Sequence, residues 1–195
     1  MAGSDARVVV VGAGVIGCAV AEALAPDVEV VVLERDRVGA GATGRSAGEV
    51  TVAPSYSDHP EIATFATQTF RRLSGTRGFA FTERESVEFV PPDRHGEARR
   101  RATRLADGGL ATTFLGQVDA GTEYPIFDLS GYVGLVRHDE AGFLDPTQLV
   151  QLLATRARER GAAIETGTEV QDLVVEDDAV VGVETDDGPI SADVV

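Results

Sequence analysis

Three glycines and one acid carry the strongest chemical signal. Gly12, Gly14 and Gly17 follow an apolar run at residues 8–11, and a small-residue stretch of helical pattern comes next. A second apolar run, residues 28–33, ends on Glu34. This is the dinucleotide fingerprint in its full strand–turn–helix–strand context. Gly12 permits the tight turn out of the first strand. Gly14, lacking a side chain, lets backbone approach a pyrophosphate, with Ala13, Val15 and Ile16 beside it. Gly17 lets the helix pack closely on the strands. The free N–H groups and positive end of that helix suit phosphate. Glu34, at the tip of the second strand, can accept hydrogen bonds from adenosine ribose hydroxyls. A carboxylate there disfavours a 2′-phosphate and hence NADP; NAD and FAD both remain open on these residues alone.

The elements that position these groups follow from patterning. Residues 1–35 read as strand, helix, strand, and residues 37–48 as a small-residue loop packed tightly against something. Residues 60–73 read as a helix, with Ile62, Phe65, Phe70 and Leu73 near one face. Residues 78–90 read as two short aromatic-rich strands. Residues 97–106 read as a helix whose arginines, Arg99, Arg100, Arg101 and Arg104, form a solvated face. Residues 108–131 carry no readable pattern, and residues 132–137 read as a strand. Asp145, Pro146 and Gln148 then mark a helix start, and Gly161 marks its stop. A short strand at 162–165 and a meander at 168–176, 179–185 and 189–191 follow, with turns at Asp177–Asp178 and Asp186–Gly188. The last four residues begin a strand that stops on Val195.

The 195 residues suffice for one sizeable core and a second small one. Net charge is −15, and all 17 basic residues are arginine. Such a composition suits solubility in concentrated salt, where self-repulsion is screened; a generally acidic surface is the alternative. Nucleic acid is a poor partner for it. No apolar stretch reaches the ~20 residues of a membrane span, and the first residues contain no apolar signal region, so a cytoplasmic protein is expected. The single cysteine, Cys18, excludes an internal disulfide and reads as a packed small side chain. No metal site is expected.

The segments VVVVGAGVIGCAVAEALA, VVVLERD and GAGATGRSAG resemble the FAD-dependent amine and amino-acid oxidoreductases, the family of D-amino-acid oxidase, glycine oxidase, sarcosine oxidase and dimethylglycine dehydrogenase. The stretch AGFLDPTQLVQLLATRARERGAAIETGTEV supports the resemblance, which covers residues 7–195 but only about the first half of a typical member. It implies an α/β fold: a Rossmann-like FAD-binding βαβ core, an inserted α+β substrate-domain segment and a β-meander. The expected parts are an FAD-binding first part (1–76), an insert (77–144) and an FAD-binding second part (145–195). By resemblance, Gly12, Ala13, Gly14, Val15, Ile16 and Gly17 hold the FAD pyrophosphate, Glu34 the ribose, and Arg35 lies beside the adenine. Thr43, Arg45, Ser46, Ala47 and Gly48 line the flavin side, and Val170 meets the adenine edge through its backbone. Arg45 also suits an anionic cofactor on physical grounds, since a strongly acidic chain needs a local cation there; an exposed ion pair is its plainer role, as a helix cap is for Ser46.

The expected function is oxidation of the C–N bond of an amino acid or secondary amine such as sarcosine, glycine or dimethylglycine. Competing readings are a truncated or split-gene FAD-binding piece without activity of its own, completed by a second chain, and an NAD-dependent dehydrogenase. No histidine occurs between residues 43 and 52, so non-covalent FAD is expected. Catalytic residues are not identified. His59, His95 and His138 are expected at the surface or in loops, with Tyr56 and His59 candidates for the substrate cavity.

Overall fold

The computed structural model describes residues 6–51 and 58–195. Tyr56 lies outside them. In chain order the elements are β1 (Arg7–Val11), α1 (Val15–Leu24), β2 (Glu29–Glu34), β3 (Glu49–Val50), α2 (Pro60–Leu73), β4 (Phe81–Glu83), β5 (Ser86–Val90) and α3 (His95–Asp107). Then come β6 (Thr112–Gly116), α4 (Gln117–Glu123), β7 (Gly134–His138), β8 (Gly142–Leu144), α5 (Pro146–Glu159), β9 (Ala163–Thr166), β10 (Val170–Glu176), β11 (Ala179–Thr185) and β12 (Gly188–Ser191). Two compact units form: residues 1–47 with 145–195, and residues 48–144. Residues 48–76, expected with the nucleotide-binding part, thus cluster with the insert. The reason is local: β3 leaves the loop and pairs with β8, in register Glu49 opposite Phe143.

The first unit is built on a parallel sheet ordered β1-β2-β9. Its strands are near-continuous valine and leucine because both faces are covered. On one side Val9, Val31 and Leu33 join Val183 and Ala192 from the meander in a single apolar cluster, with Val170 and Ile190 against it. On the other, Val30 and Val32 are buried, and α1 packs on α5. The meander β10-β11-β12 is antiparallel throughout, with a register shift between Val174 and Val175. Asp177 and Asp178 both take positive φ in its first turn (48° and 63°), a conformation Asp tolerates better than most residues. Val194 bridges in parallel to Val8, and the Val9 N–H donates to the Val194 carbonyl at 2.9 Å.

An acidic link ties the two helices: Arg156 Nε lies 2.7 Å from Glu22 Oε1, and Arg160 Nη2 3.6 Å from the same oxygen. α5 starts where its sequence says. Asp145 Oδ1 accepts from the N–H groups of Thr147 (2.8 Å) and Gln148 (3.1 Å), and Pro146 occupies the first turn. Asp145→Ala is expected to lower stability by about 1 kcal/mol, the usual worth of such a cap. On a chain of this size that is a fall of roughly 2–4 °C in Tm, read by calorimetry.

The second unit contains two antiparallel three-stranded sheets, β3-β8-β4 and β5-β7-β6. α2 meets the first through a tilted Phe70–Phe81 ring contact at 5.6 Å. α3 covers one face of the second sheet through Val90, Ala98, Ala102 and Val136. Ala120 of α4, with Leu129, packs on Leu135 on the opposite face, and Phe89, Tyr124 and Phe127 close around them. The unpatterned stretch 108–131 therefore holds β6 and α4. Arg101 departs from the expected solvated face: its side chain is only 2% exposed. It sits at the i+3 position between Ala98 and Ala102–Leu105, on the buried stripe of α3.

Candidate functional site

The fingerprint turn is held by backbone bonds before any ligand is considered. The Gly12 N–H donates to the Leu33 carbonyl at 2.7 Å, joining the turn to the end of β2. Gly12 itself adopts φ +96°, which favours glycine. At Gly17 the demand is steric: an added Cβ would lie 2.0 Å from the Gly12 carbonyl oxygen and 3.3 Å from Val10 Cγ1. α1 therefore rides directly on the turn. Its first turn contains no acid, and the residue before it, Gly14, offers no side-chain cap. No acid of the helix itself therefore competes with an anion at its positive end, though the Val15 N–H is taken by the Thr43 hydroxyl.

Glu34 organises the floor of the site. Its Oε2 accepts from the Ala13 N–H at 2.9 Å, and Oε1 accepts from the Asp36 N–H at 3.0 Å. The carboxylate thus bridges the glycine turn and the chain leaving β2. The Glu34 carbonyl also accepts from the Thr168 N–H at 3.0 Å, which brings the start of the meander alongside. Replacing Glu34 with Ala frees two backbone donors that anchor the turn. The expected outcome is about tenfold weaker FAD binding, equivalent to ~1.4 kcal/mol, with the FAD titration followed by flavin fluorescence.

The loop after β2 folds back onto the same turn. The Gly39 N–H donates to the Ala13 carbonyl (2.9 Å), and Thr43 Oγ1 accepts from the Val15 N–H (3.0 Å). A Cβ on Gly14 would meet that same hydroxyl at 3.2 Å. Ser46 Oγ donates to the Thr43 carbonyl at 3.0 Å, so it closes a one-turn 3-10 helix rather than capping a helix start.

Between these pieces lies an open cavity of about 370 Å³. It brings together Gly12, Glu34, Arg35, Arg45 and Val170 of the residues expected from sequence. Asp36, Ala40, Thr168 and Glu169, unmarked in the sequence reading, line it as well. Ala13, Gly14, Val15, Gly17 and Thr43 lie outside its lining and act through the turn and the helix end. Ile16, at the start of α1, is 77% exposed. Ala47 is exposed, while Gly48 is buried and falls in the second unit. Two arginines supply positive charge to the cavity. Arg45 Nη1 donates to the Ala40 carbonyl at 3.5 Å, and Arg35 Nη1 lies 3.5 Å from Glu169 Oε1 across the rim.

Cys18 sits beneath the turn, fully buried. Burial pushes its thiol pKa up to about 11, so it packs as an apolar group and stays protonated. Of the histidines, His59 is exposed and faces Glu61 at 3.2 Å, and His95 lies against the Phe114 ring. His138 departs from the expected surface position: it is 4% exposed, on β7. Among the described residues no helix is long and apolar enough to cross a membrane.

Known proteins resemble this chain in sequence and in fold. The chain is 28% identical over 192 residues to 4-methylaminobutanoate oxidase (formaldehyde-forming) of Paenarthrobacter nicotinovorans, covering 96% of this chain and 23% of that protein. It is 26% identical over 192 residues to the mitochondrial pyruvate dehydrogenase phosphatase regulatory subunit of Mus musculus, covering 96% of this chain and 22% of that protein. The solved structure of L-proline dehydrogenase from P. horikoshii shares the fold, with a TM-score of 0.82 at 24% identity over 98% of this chain and 52% of that one. The chain thus spans under a quarter of these curated relatives and about half of that solved structure. The family described as FAD dependent oxidoreductase matches residues 7–195, from the first residue of β1 onward, and the chain belongs to that family, whose cofactor is FAD.

Proposed function

We propose that this chain is the FAD-binding portion of a flavin oxidoreductase that oxidises the C–N bond of an amino acid or a secondary amine. The observation that supports the reading is the glycine turn packed under α1, whose first turn carries no acid, beside a cavity lined by Gly12, by Glu34 and by Arg45. The residues present fit FAD. Gly12, Ala13, Gly14, Val15, Ile16 and Gly17 would hold the pyrophosphate, and Glu34, with a carboxylate already fixed by two backbone donors, would take the adenosine ribose. Arg35 and Val170 would flank the adenine. Thr43, Arg45, Ser46, Ala47 and Gly48 would follow the cofactor toward its flavin end. Bound FAD supplies the acceptor for a hydride equivalent from the carbon beside an unprotonated nitrogen.

The chain's own residues then have limited but definite tasks. Arg45 offsets the charge of an anionic cofactor on an acidic protein, while Arg35 is paired with Glu169 at the rim. The Glu34 carboxylate holds the turn and turns away a 2′-phosphate. Thr43 keeps the loop seated on the helix end. With no histidine in residues 43–52, FAD would be held without a covalent bond. Substrates of the oxidase relative's kind, methylated amino acids, fall within this reading. A second reading, an FAD-binding piece that turns over no substrate itself, is favoured by the relative named as a regulatory subunit.

The test is a visible spectrum of the purified chain in concentrated salt, with added FAD, before and after acid precipitation. A flavin spectrum that survives desalting and is released by acid is expected. Colour retained in the precipitate overturns non-covalent binding, and no bound flavin overturns the site. Bleaching of that spectrum by an amine or amino acid separates the oxidoreductase from the non-catalytic piece.

A further inference from the structure

The buried polar cluster of the second unit shares no residue with the cavity described above. Across the β5-β7-β6 sheet, Ser86 and Thr112 stand directly opposite His138, one on each side. Glu88 lies two residues along β5 from Ser86 on the same face. From above, α3 lowers Arg101 onto this polar end: its Nη2 bonds Glu88. Arg101 is 2% exposed, yet its Nε and Nη1 find no hydrogen-bond partner among the described residues. Glu97 Oε1, one turn back on α3, stands 3.9 Å from Nη1, beyond hydrogen-bond reach. His138 Nδ1 lies 3.2 Å from Thr112 Oγ1, so its ring is paired with a neutral hydroxyl.

The arrangement contains one buried permanent cation, one carboxylate bonded to it and a second, the exposed Glu97, at the limit of ion-pair distance. A second buried cation would leave the cluster short of counter-charge. We propose that Arg101, Glu88, His138 and Thr112 form an acid-sensitive latch fastening α3 to the β5-β7-β6 sheet, released when His138 takes up a proton.

The charges facing His138 come from three sides. Arg101 of α3 repels the protonated ring; Glu88 of β5 attracts it; Asp139, next to it on its own chain, also attracts it. β6 presents no charged residue, only Thr112. Asp139 is already committed, with Oδ1 2.7 Å from Arg137 Nε. Burial weighs most and holds the His138 pKa below the ordinary histidine value. The unfolded segment takes up a proton as pH falls through ~6.5, while the packed one resists. Latch stability is therefore full above that pH and declines below it, until the packed ring also titrates.

The experiment is hydrogen exchange by mass spectrometry on the full chain from pH 7.5 to 5.5, corrected for the intrinsic pH dependence of exchange. Protection in segments 86–107 and 134–138 is expected to fall by up to about tenfold per pH unit below 6.5, the limit for one linked proton. Protection in 146–159 and 170–191 is expected to stay level. In His138→Gln, which cannot take the proton, the dependence should vanish. Protection that is flat with pH in the wild type, or an undiminished slope in His138→Gln, overturns the latch. A second measurement needs no variant: ring-proton NMR of the three histidines. The His138 ring should titrate below the ordinary histidine range. An ordinary titration of His138 without loss of protection overturns the proposal.

Discussion

Gly17→Ala is expected to weaken both the packing of the first unit and its hold on FAD. The added Cβ would stand 2.0 Å from the Gly12 carbonyl oxygen, a backbone atom that the turn holds in place. Unlike a flexible side chain, it cannot swing aside. α1 must lift from β1, opening the cluster around Cys18 and Ala21, both fully buried. Overpacking of this kind costs about 3 kcal/mol, at the upper end for a single methyl. FAD affinity should fall by more than about a hundredfold, because the helix end that would face the phosphates moves with α1. Gly14→Ala is the control: its Cβ meets only the Thr43 hydroxyl, at 3.2 Å. That variant should melt close to wild type yet bind FAD poorly, because the methyl occupies the approach of the pyrophosphate. Urea unfolding and FAD titration on both variants separate the two roles. A Gly17→Ala chain that unfolds at the wild-type urea concentration would show that close packing is not what demands glycine there.

Glu88→Ala is expected to be the most damaging change in the second unit. It removes the carboxylate that bonds an arginine 98% withdrawn from water, leaving the guanidinium buried with Glu97 too far to replace it. Removing one partner of a buried pair costs 3–5 kcal/mol in well-enclosed cases. Glu88 keeps partial contact with water, its side chain being 31% exposed, so about 3 kcal/mol is the expected loss. The double variant Glu88→Leu with Arg101→Met should recover most of it, because an apolar pair of similar volume needs no counter-charge. The midpoint of urea unfolding reads both. If Glu88→Ala unfolds with the wild type, the pair contributes nothing.

How much of this was legible in sequence varies by physical cause. α5 was readable to its ends because Asp145, Pro146 and Gly161 act locally, through bonds to the helix's own backbone and a φ of +107° at its stop. β11 was readable because its turns are made by adjacent acidic and glycine residues. The glycine turn and the acid that braces it were readable where spacing dictates them, at Gly12 to Gly17 and Glu34. Asp36, Thr168 and Glu169 were not, because the hydrogen bond that brings Thr168 to Glu34 spans more than a hundred residues of chain and leaves no local mark. β3, β8 and α4 are two, three and seven residues long, too short for periodicity to register. Arg101 and His138 were misjudged for one reason: residue type outweighed position. The Ala98–Ala102–Leu105 stripe already placed 101 on the inner face of α3. His138 lies on the same sheet face as Val136, two residues earlier.

The discontinuity of the first unit bears on the order in which the chain folds. β2 and β9 are hydrogen-bonded neighbours, yet the whole second unit is spliced between them. Closing an unstructured loop of about a hundred residues costs ~4 kcal/mol of chain entropy. The insert carries its own remedy: its two ends meet, with the Leu144 N–H donating to the Gly48 carbonyl at 3.0 Å. Once the insert has folded, the chain leaving at Gly48 returns at Leu144 within one hydrogen bond, and the long loop behaves as a short hairpin. Assembly of the parallel sheet then waits on the insert. Variants that weaken the insert, Glu88→Ala among them, should slow refolding of the first unit without touching any residue in it.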